Sequence, residues 1–316
     1  MGILSIVAPI FLVMAAGNIA IRRKLIPQDA IPAIGQFVMY FALPALIIRA
    51  MTRADTSLGE RIEPEFIAAY GGGAFLTWLL AFVAFRLFMR NEPALAGIKC
   101  FGSSFSNSAF VGYPLLSMAY DEPPITIFAM ALLFENVVLM PLVLISQEWI
   151  ARDRALDGRA MLSSIATRIV TNPIIITIAV GLMLAVFEWQ LPDVIANTLD
   201  LLGRASAGAA LFFIGASLAG RQVGEHRSDA LQVAFFKLLV HPALVMLLLL
   251  LFPGLSTEYK QAALLLAACP MLTIYPIISG QYGYTGMASA TLLITTAISM
   301  FTITAVLMLA FSQTPM

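Results

Sequence analysis

Hydrophobic residues in this chain fall into long unbroken runs separated by short polar joints, with no alternation of the kind a half-buried strand shows. A membrane span needs about 20 mostly apolar residues. On that rule the runs predict about ten helices, at 3–21, 33–51, 66–89, 95–119, 124–147, 162–187, 193–219, 229–252, 258–281 and 285–311. Clusters of Pro, Gly, Asp and Glu mark the joints, as at 53–65, 120–124 and 252–258. The first run lacks the basic start of a secretory signal and continues into Arg22, Arg23 and Lys24, so it reads as a span that is kept.

Two runs are unlike the others and like each other. Lys99–Tyr120 and Gln261–Tyr282 share Y-P-[LI]-[LI]-S-x-x-Y at an offset of 162 residues, about half the chain. Each carries small polar residues and a mid-span proline. Proline removes a donor and clashes with the preceding turn, so breaks are expected near Gly112-Tyr113-Pro114 and between Pro270 and Pro276. A second echo pairs Pro9-Ile10, Ala15 and Gly17 with Pro173-Ile174, Ala179 and Gly181 at an offset of 164. Two matches in order, at nearly one offset, predict a duplicated architecture with repeats 1–151 and 160–316. Interrupted helices in matching positions of two repeats point to the substrate site of a secondary transporter.

Composition agrees with a membrane protein. Hydrophobic residues are 60% of the chain, charged residues only 11%, and mean hydropathy is +0.91. That is too little charge to cover a water-facing surface, and a formal net charge of zero argues against nucleic acid. Lys and Arg flanking the odd-numbered loops outnumber those on the other side thirteen to five. This places the odd loops in the cytoplasm of a cell-membrane protein, with both termini outside. Five spans per half then require the second repeat to enter inverted. Cys100 and Cys269 lie within apolar runs without metal-ligand spacing, and read as buried small residues. No Ser, His and acid fall into a recognisable catalytic motif, and neither a metal nor a cofactor is expected.

The candidate chemistry is sparse. An interrupted helix leaves N–H groups unpaired at one end and carbonyls at the other, and the N–H end attracts an anion. Candidate substrate contacts are therefore Asn107, Ser108, Gly112, Tyr113 and Pro114 in the first stretch, and Cys269, Pro270, Thr273, Tyr275 and Pro276 in the second. The bland alternative is that the prolines only kink two packed helices, and that Asn107 and its serine neighbours glue spans together. Glu135 is the twelfth residue of the run 124–147, near mid-membrane. An acid there costs about 2.5 kcal/mol or more, which makes Glu135, with Asn136 beside it, either a proton carrier or a hydrogen-bonded structural group. Lys237 and His241 are one turn apart on a single face. Lys237 lies about 12 Å from its helix end at 1.5 Å per residue, within reach of the interface by snorkelling; otherwise it balances Glu135 or a substrate charge. Gly71-Gly72-Gly73 reads as a close-packing patch rather than a phosphate loop.

Several segments resemble the auxin efflux carrier family, which includes plant auxin carriers and bacterial malonate and malate permeases. Asn107-Ser108-x-x-x-Gly112-x-Pro114-Leu115-Leu116 is similar to the family's fourth-span pattern, and Phe37-Val38-x-x-Phe41-Ala42-x-Pro44 to its second span. Asn172-Pro173, Gly208-Ala209-Ala210-Leu211-Phe212 and Ala267-Ala268-Cys269-Pro270 resemble its sixth, seventh and ninth. A short loop near 150–160 favours a bacterial-type permease. The resemblance implies an all-α fold of ten spans as an inverted 5+5 repeat with broken helices four and nine crossing, similar to bile-acid symporters and NhaA. It implies a scaffold of spans 1, 2, 6 and 7, a mobile unit of spans 3–5 and 8–10, and a homodimer through the scaffold. It also tips Asn107 towards substrate contact. The function implied is alternating-access transport of a small carboxylate across the lipid bilayer, with the coupling ion open between H+, Na+ or none. A cation-coupled carrier of a larger apolar anion, a receptor and a channel are the alternatives.

Overall fold

The computed structural model describes residues 3–52, 63–150, 163, 166–167, 169–187, 189–221 and 224–311. The joint at 53–62 and most of the loop at 150–160 lie outside them. Among the described residues the regular structure is entirely helical. Seven helical stretches are long and apolar enough to cross a membrane. These are α1 (Ile3–Arg22), α2 (Gln28–Met51), α3 (Pro64–Phe88), α6 (125–150), the kinked pair α8 (Asp193–Arg204) and α9 (Ser206–Ser217), α10 (Arg227–Leu249) and α13 (Thr285–Phe311). The other three expected spans fall on shorter helices. One is the 14-residue α7 (Pro173–Val186). The remaining two are interrupted: α4 (Pro93–Ser104) is followed by α5 (108–119), and α11 (Thr257–Ala268) by α12 (Tyr275–Gly280).

Mid-span prolines do not break the helices they sit in. Four of the five π-turns among the described residues are Val38–Ala42, Ser108–Gly112, Phe134–Leu139 and Phe236–Val240. Each is followed two residues later by a proline: Pro44, Pro114, Pro141 and Pro242. A proline ring clashes with the carbonyl four residues back. A preceding turn closed by five-residue bonds is wider and holds that carbonyl away. The missing N–H then falls where the register returns to four, so no continuing ladder is cut. This corrects the expectation of a break near Gly112-Tyr113-Pro114. Helix α5 runs through Pro114, and the break lies earlier, at 105–107. In the second stretch the break spans 269–274, between Pro270 and Pro276 as expected.

Helix α1 lies along α9, and α2 packs on α7, α8 and α9. Among the rest, α3 packs on α4 and α10, α10 on α11 and α13, and α13 on α12. The α1–α9 contact is close enough that a Cβ on Gly17 would stand 2.2 Å from the Phe212 carbonyl oxygen. One on Gly215 would stand 1.8 Å from that of Met14. Only glycine lets the two backbones touch in this way, as small residues do in membrane helix pairs. The glycine patch on α3 serves the same purpose. Gly71 abuts the Phe134 ring of α6 and Gly73 abuts Val245 of α10.

Candidate functional site

The two breaks meet. Ser103 and Ser104 turn their hydroxyls back onto the carbonyls of Lys99 and Cys100 as α4 ends, and Phe105 is extended. Asn107 restarts the helix, its side-chain oxygen accepting from Phe110 N–H at 3.3 Å, as an asparagine N-cap does. Its backbone N–H donates to the Pro270 carbonyl at 2.8 Å, and its Nδ2 donates to Thr273 Oγ1 at 2.8 Å. Backbone and side chain of one residue therefore bond the first break to the second. Asn107, Ser108, Thr273, Cys269 and Pro270 are all buried there. Gly112 faces Leu266 and the Cys269 sulfur.

Charged groups flank this junction. Glu135 sits in the π-turn Phe134–Leu139 of α6, and its Oε1 accepts from Tyr70 Oη at 2.5 Å and Ser108 Oγ at 2.6 Å. Of the two readings for Glu135, the hydrogen bonds of a structural group are present, and they do not exclude a proton carrier. Ser108 opens α5, so the carboxylate lies at the N-terminal end of a helix, where negative charge is favoured. Lys237, in the π-turn Phe236–Val240 of α10, does not snorkel. It is fully buried, with Nζ on Ser106 Oγ (2.9 Å), His241 Nδ1 (2.7 Å) and the Ala267 carbonyl (2.9 Å). Ala267 belongs to the last turn of α11, where cations are favoured. Since the ammonium donates to Nδ1, the proton of neutral His241 is on Nε2, which is buried and unpartnered. Glu135 and Lys237 form no ion pair within 4 Å. Each instead answers one end of an interrupted helix.

Other expected contacts go elsewhere. Asn136 donates to the Leu132 carbonyl and accepts from Asn172, which caps α7, so it ties α6 to α7 away from the junction. Tyr275 Oη donates to the Ile98 carbonyl and stacks edge-on against Phe101, fastening α12 to α4. Pro276 is buried in the first turn of α12, which at six residues carries only a short run of aligned dipoles. Tyr113 packs on Phe128 and lines a cavity of about 710 Å³, whose walls also carry Arg49, Asp200 and Arg204.

Sequence reasoning missed Tyr70, Ser106 and Lys99. Tyr70 directly precedes the glycine patch that brings α3 onto α6, and a polar ring beside such a patch was its one signal. Lys99, counted among loop flanks, is fully buried. Its three N–H groups meet Asn91 Oδ1 (2.8 Å), Asp229 Oδ1 (2.7 Å) and Gln232 Oε1 (2.6 Å), and it lies 4.7 Å from the centre of the Phe85 ring.

The family model described as "Membrane transport protein" matches residues 3–307. The chain belongs to that family. The auxin efflux carrier resemblance read from the motifs is borne out, and the protein is a multi-pass membrane transporter. Among its relatives is the "Putative malonate transporter" of Rhizobium meliloti, 29% identical over 97% of this chain and 95% of its own length. The "Uncharacterized transporter YfdV" of Escherichia coli K12 is 25% identical over 90% of each chain. The mouse "Lysosomal cholesterol signaling protein" is 25% identical over 67% of this chain, a stretch that makes up 25% of its own length.

Proposed function

We propose that this family member is a secondary active carrier of small carboxylates, such as malonate or malate, working by alternating access. The observation that carries the reading is the joining of two interrupted helices by one residue. Asn107 bonds Pro270 and Thr273 and caps α5 in the same place. Asn107 Nδ2 bears two protons and Thr273 takes one, which leaves a donor for a substrate oxygen beside the exposed backbone of both breaks. An anion is held there by helix ends and amide donors without needing an arginine at mid-membrane.

The ten spans form an inverted 5+5 repeat in this reading. Its scaffold contains α1, α2 and α7–α9, and its mobile unit contains α3–α6 and α10–α13. The close backbone packing of α1 on α9 and of α2 on α7 and α8 supports a rigid scaffold, which meets the other group mainly through α5, α6 and α13; transport is then an elevator-type movement of one past the other. Glu135 carries the coupling proton, because it is an acid hydrogen-bonded directly to Ser108 at the junction. The chain acts as a homodimer through the scaffold in the cell membrane, with both termini outside.

Counterflow in proteoliposomes tests this reading. Vesicles loaded with unlabelled malonate, malate or succinate should transiently accumulate the labelled compound. Asn107→Ala should raise the half-saturating concentration about tenfold, the size of one lost hydrogen bond to a charged group, with unchanged elution on gel filtration. A channel or a receptor gives no counterflow, so its absence for all three acids ends the proposal.

A further inference from the structure

We propose that Arg204 is a second carboxylate-binding point, upstream of the junction, at which a substrate anion first docks; the inference rests on the carrier reading above. Arg204 is the last residue of the more polar half, Asp193–Arg204, of the candidate span Asp193–Ser217. An ionisable group within a span is costly unless it faces a partner or a water-filled space. Its natural partner is at hand but engaged elsewhere. Asp200 precedes Arg204 by four residues on the same helix, the spacing at which an acid and a base usually meet. Asp200 instead accepts from Arg49 Nε of α2 at 3.1 Å. Arg204 is exposed and has no hydrogen bond or ion pair among the described residues.

What it faces is the cavity of about 710 Å³. That volume is ample for a small organic acid together with water. Its lining includes Arg49, Asp200 and Arg204 from α2 and α8. It also includes Asp121 and Glu122 from the segment after α5 and Glu258 from the start of α11. Tyr113, six residues beyond Asn107 on the helix that Asn107 caps, also lines the cavity, so α5 connects this space to the junction. A carboxylate entering it is repelled by these acids and finds one unpaired guanidinium, that of Arg204. Guanidinium is the side chain best shaped for bidentate contact with a carboxylate. The Arg49–Asp200 bond keeps Asp200 from neutralising that contact.

Arginine modification by phenylglyoxal, mapped by mass spectrometry on the purified full-length protein, tests the proposal without requiring transport. Millimolar malonate, succinate or acetate should slow modification of Arg204 at least threefold, whereas malonamide, which has the same shape without charge, should not. Modification of Arg204 unaffected by any of the three acids, or slowed equally by malonamide or by sodium chloride of matched ionic strength, overturns it. A gate in which Arg204 only pairs with Asp121, Glu122 or Glu258 gives that same unprotected result. In counterflow, Arg204→Gln should raise the half-saturating concentration about tenfold with the maximal rate within about twofold. An unchanged half-saturating concentration also overturns the proposal. Protection without counterflow in the parent protein refutes the carrier reading and leaves Arg204 as an anion site. Counterflow without protection refutes the Arg204 site alone.

Discussion

The Lys237 ammonium lies 2.9 Å from the carbonyl oxygen of Ala267, at the C-terminal end of the half-helix α11. Its other two protons go to Ser106 and His241, so one cation ties α10 to both interrupted segments. The Glu135 carboxylate does the reciprocal work at the start of α5, through Ser108 and Tyr70. At each interruption one of the two helix ends is met by a buried ionisable group of the favourable sign, Glu135 at the start of α5 and Lys237 at the end of α11, which helps the membrane interior tolerate the break.

Lys237→Met should therefore destabilise the protein by about 2 kcal/mol or more, since it strips donors from three buried acceptors at once. Lys237→Gln, which retains two donors, should lose clearly less. Thermal unfolding in detergent measures both. Equal melting temperatures for parent and Lys237→Met would show that the carbonyl end of α11 finds other donors.

Glu135→Gln keeps an oxygen for Tyr70 and Ser108 and removes the ionisable proton. Its melting temperature should stay near that of the parent. Exchange of labelled for unlabelled substrate should persist while accumulation driven by a proton gradient disappears. Undiminished response to the gradient would exclude Glu135 as the coupling group. Because Glu135 and Lys237 are not paired, adding Lys237→Met should deepen the stability loss rather than relieve it.

Gly215→Ala places a methyl group 1.8 Å from the Met14 carbonyl oxygen, and backbone cannot move aside as a side chain can. The variant should lose about 3 kcal/mol or fail to assemble, read as lower yield and an earlier unfolding transition. Gly208→Ala, on the same helix and with open space around it, should be neutral and serves as the control.

Lys99→Met removes three hydrogen bonds, two of them to Asp229 and Gln232 across the contact between α4 and α10 and one to Asn91 in the joint before α4. The Asp229 side chain it leaves behind is 31% exposed and can rehydrate, so the loss should be less than the about 3 kcal/mol typical of a broken buried pair. The adjacent Lys99→Arg should also destabilise, because a planar fork cannot reach three acceptors arranged around an ammonium. Full stability in Lys99→Arg would show that position to be roomier than its burial suggests.

Much of the fold was legible because length and apolarity decide it: the long runs at 66–89 and 285–311 correspond closely to α3 and α13. The two interrupted segments were legible from the shared Y-P motif, but the site of the first break was not. Pro114 looked like the interruption because proline ends helices in the abstract; the π-turn before it absorbs the clash, and the proline that accompanies such a turn reads, without the structure, as a break. The true break is signalled by Asn107, a helix-capping residue inside an apolar run. Partners of Glu135 and Lys237 were hidden because Tyr70 and Ala267 are distant in sequence and reach them only through tertiary contact. Arg204 was assigned to a loop flank by simple counting, although its position within 193–219 already put it inside a candidate span.

The bond from Asn107 N–H to the Pro270 carbonyl joins backbone to backbone across the junction, with Thr273 adding a second link from the same residue. Neither strand at that point can slide past the other without unlatching both. In the elevator movement proposed above, whatever occupies the junction is carried like cargo in a closed hand, its surroundings unaltered while the whole grip travels. Selectivity and speed would then belong to different parts of that design: the grip chooses the passenger, and the glycine-paved scaffold beside it governs how readily it moves.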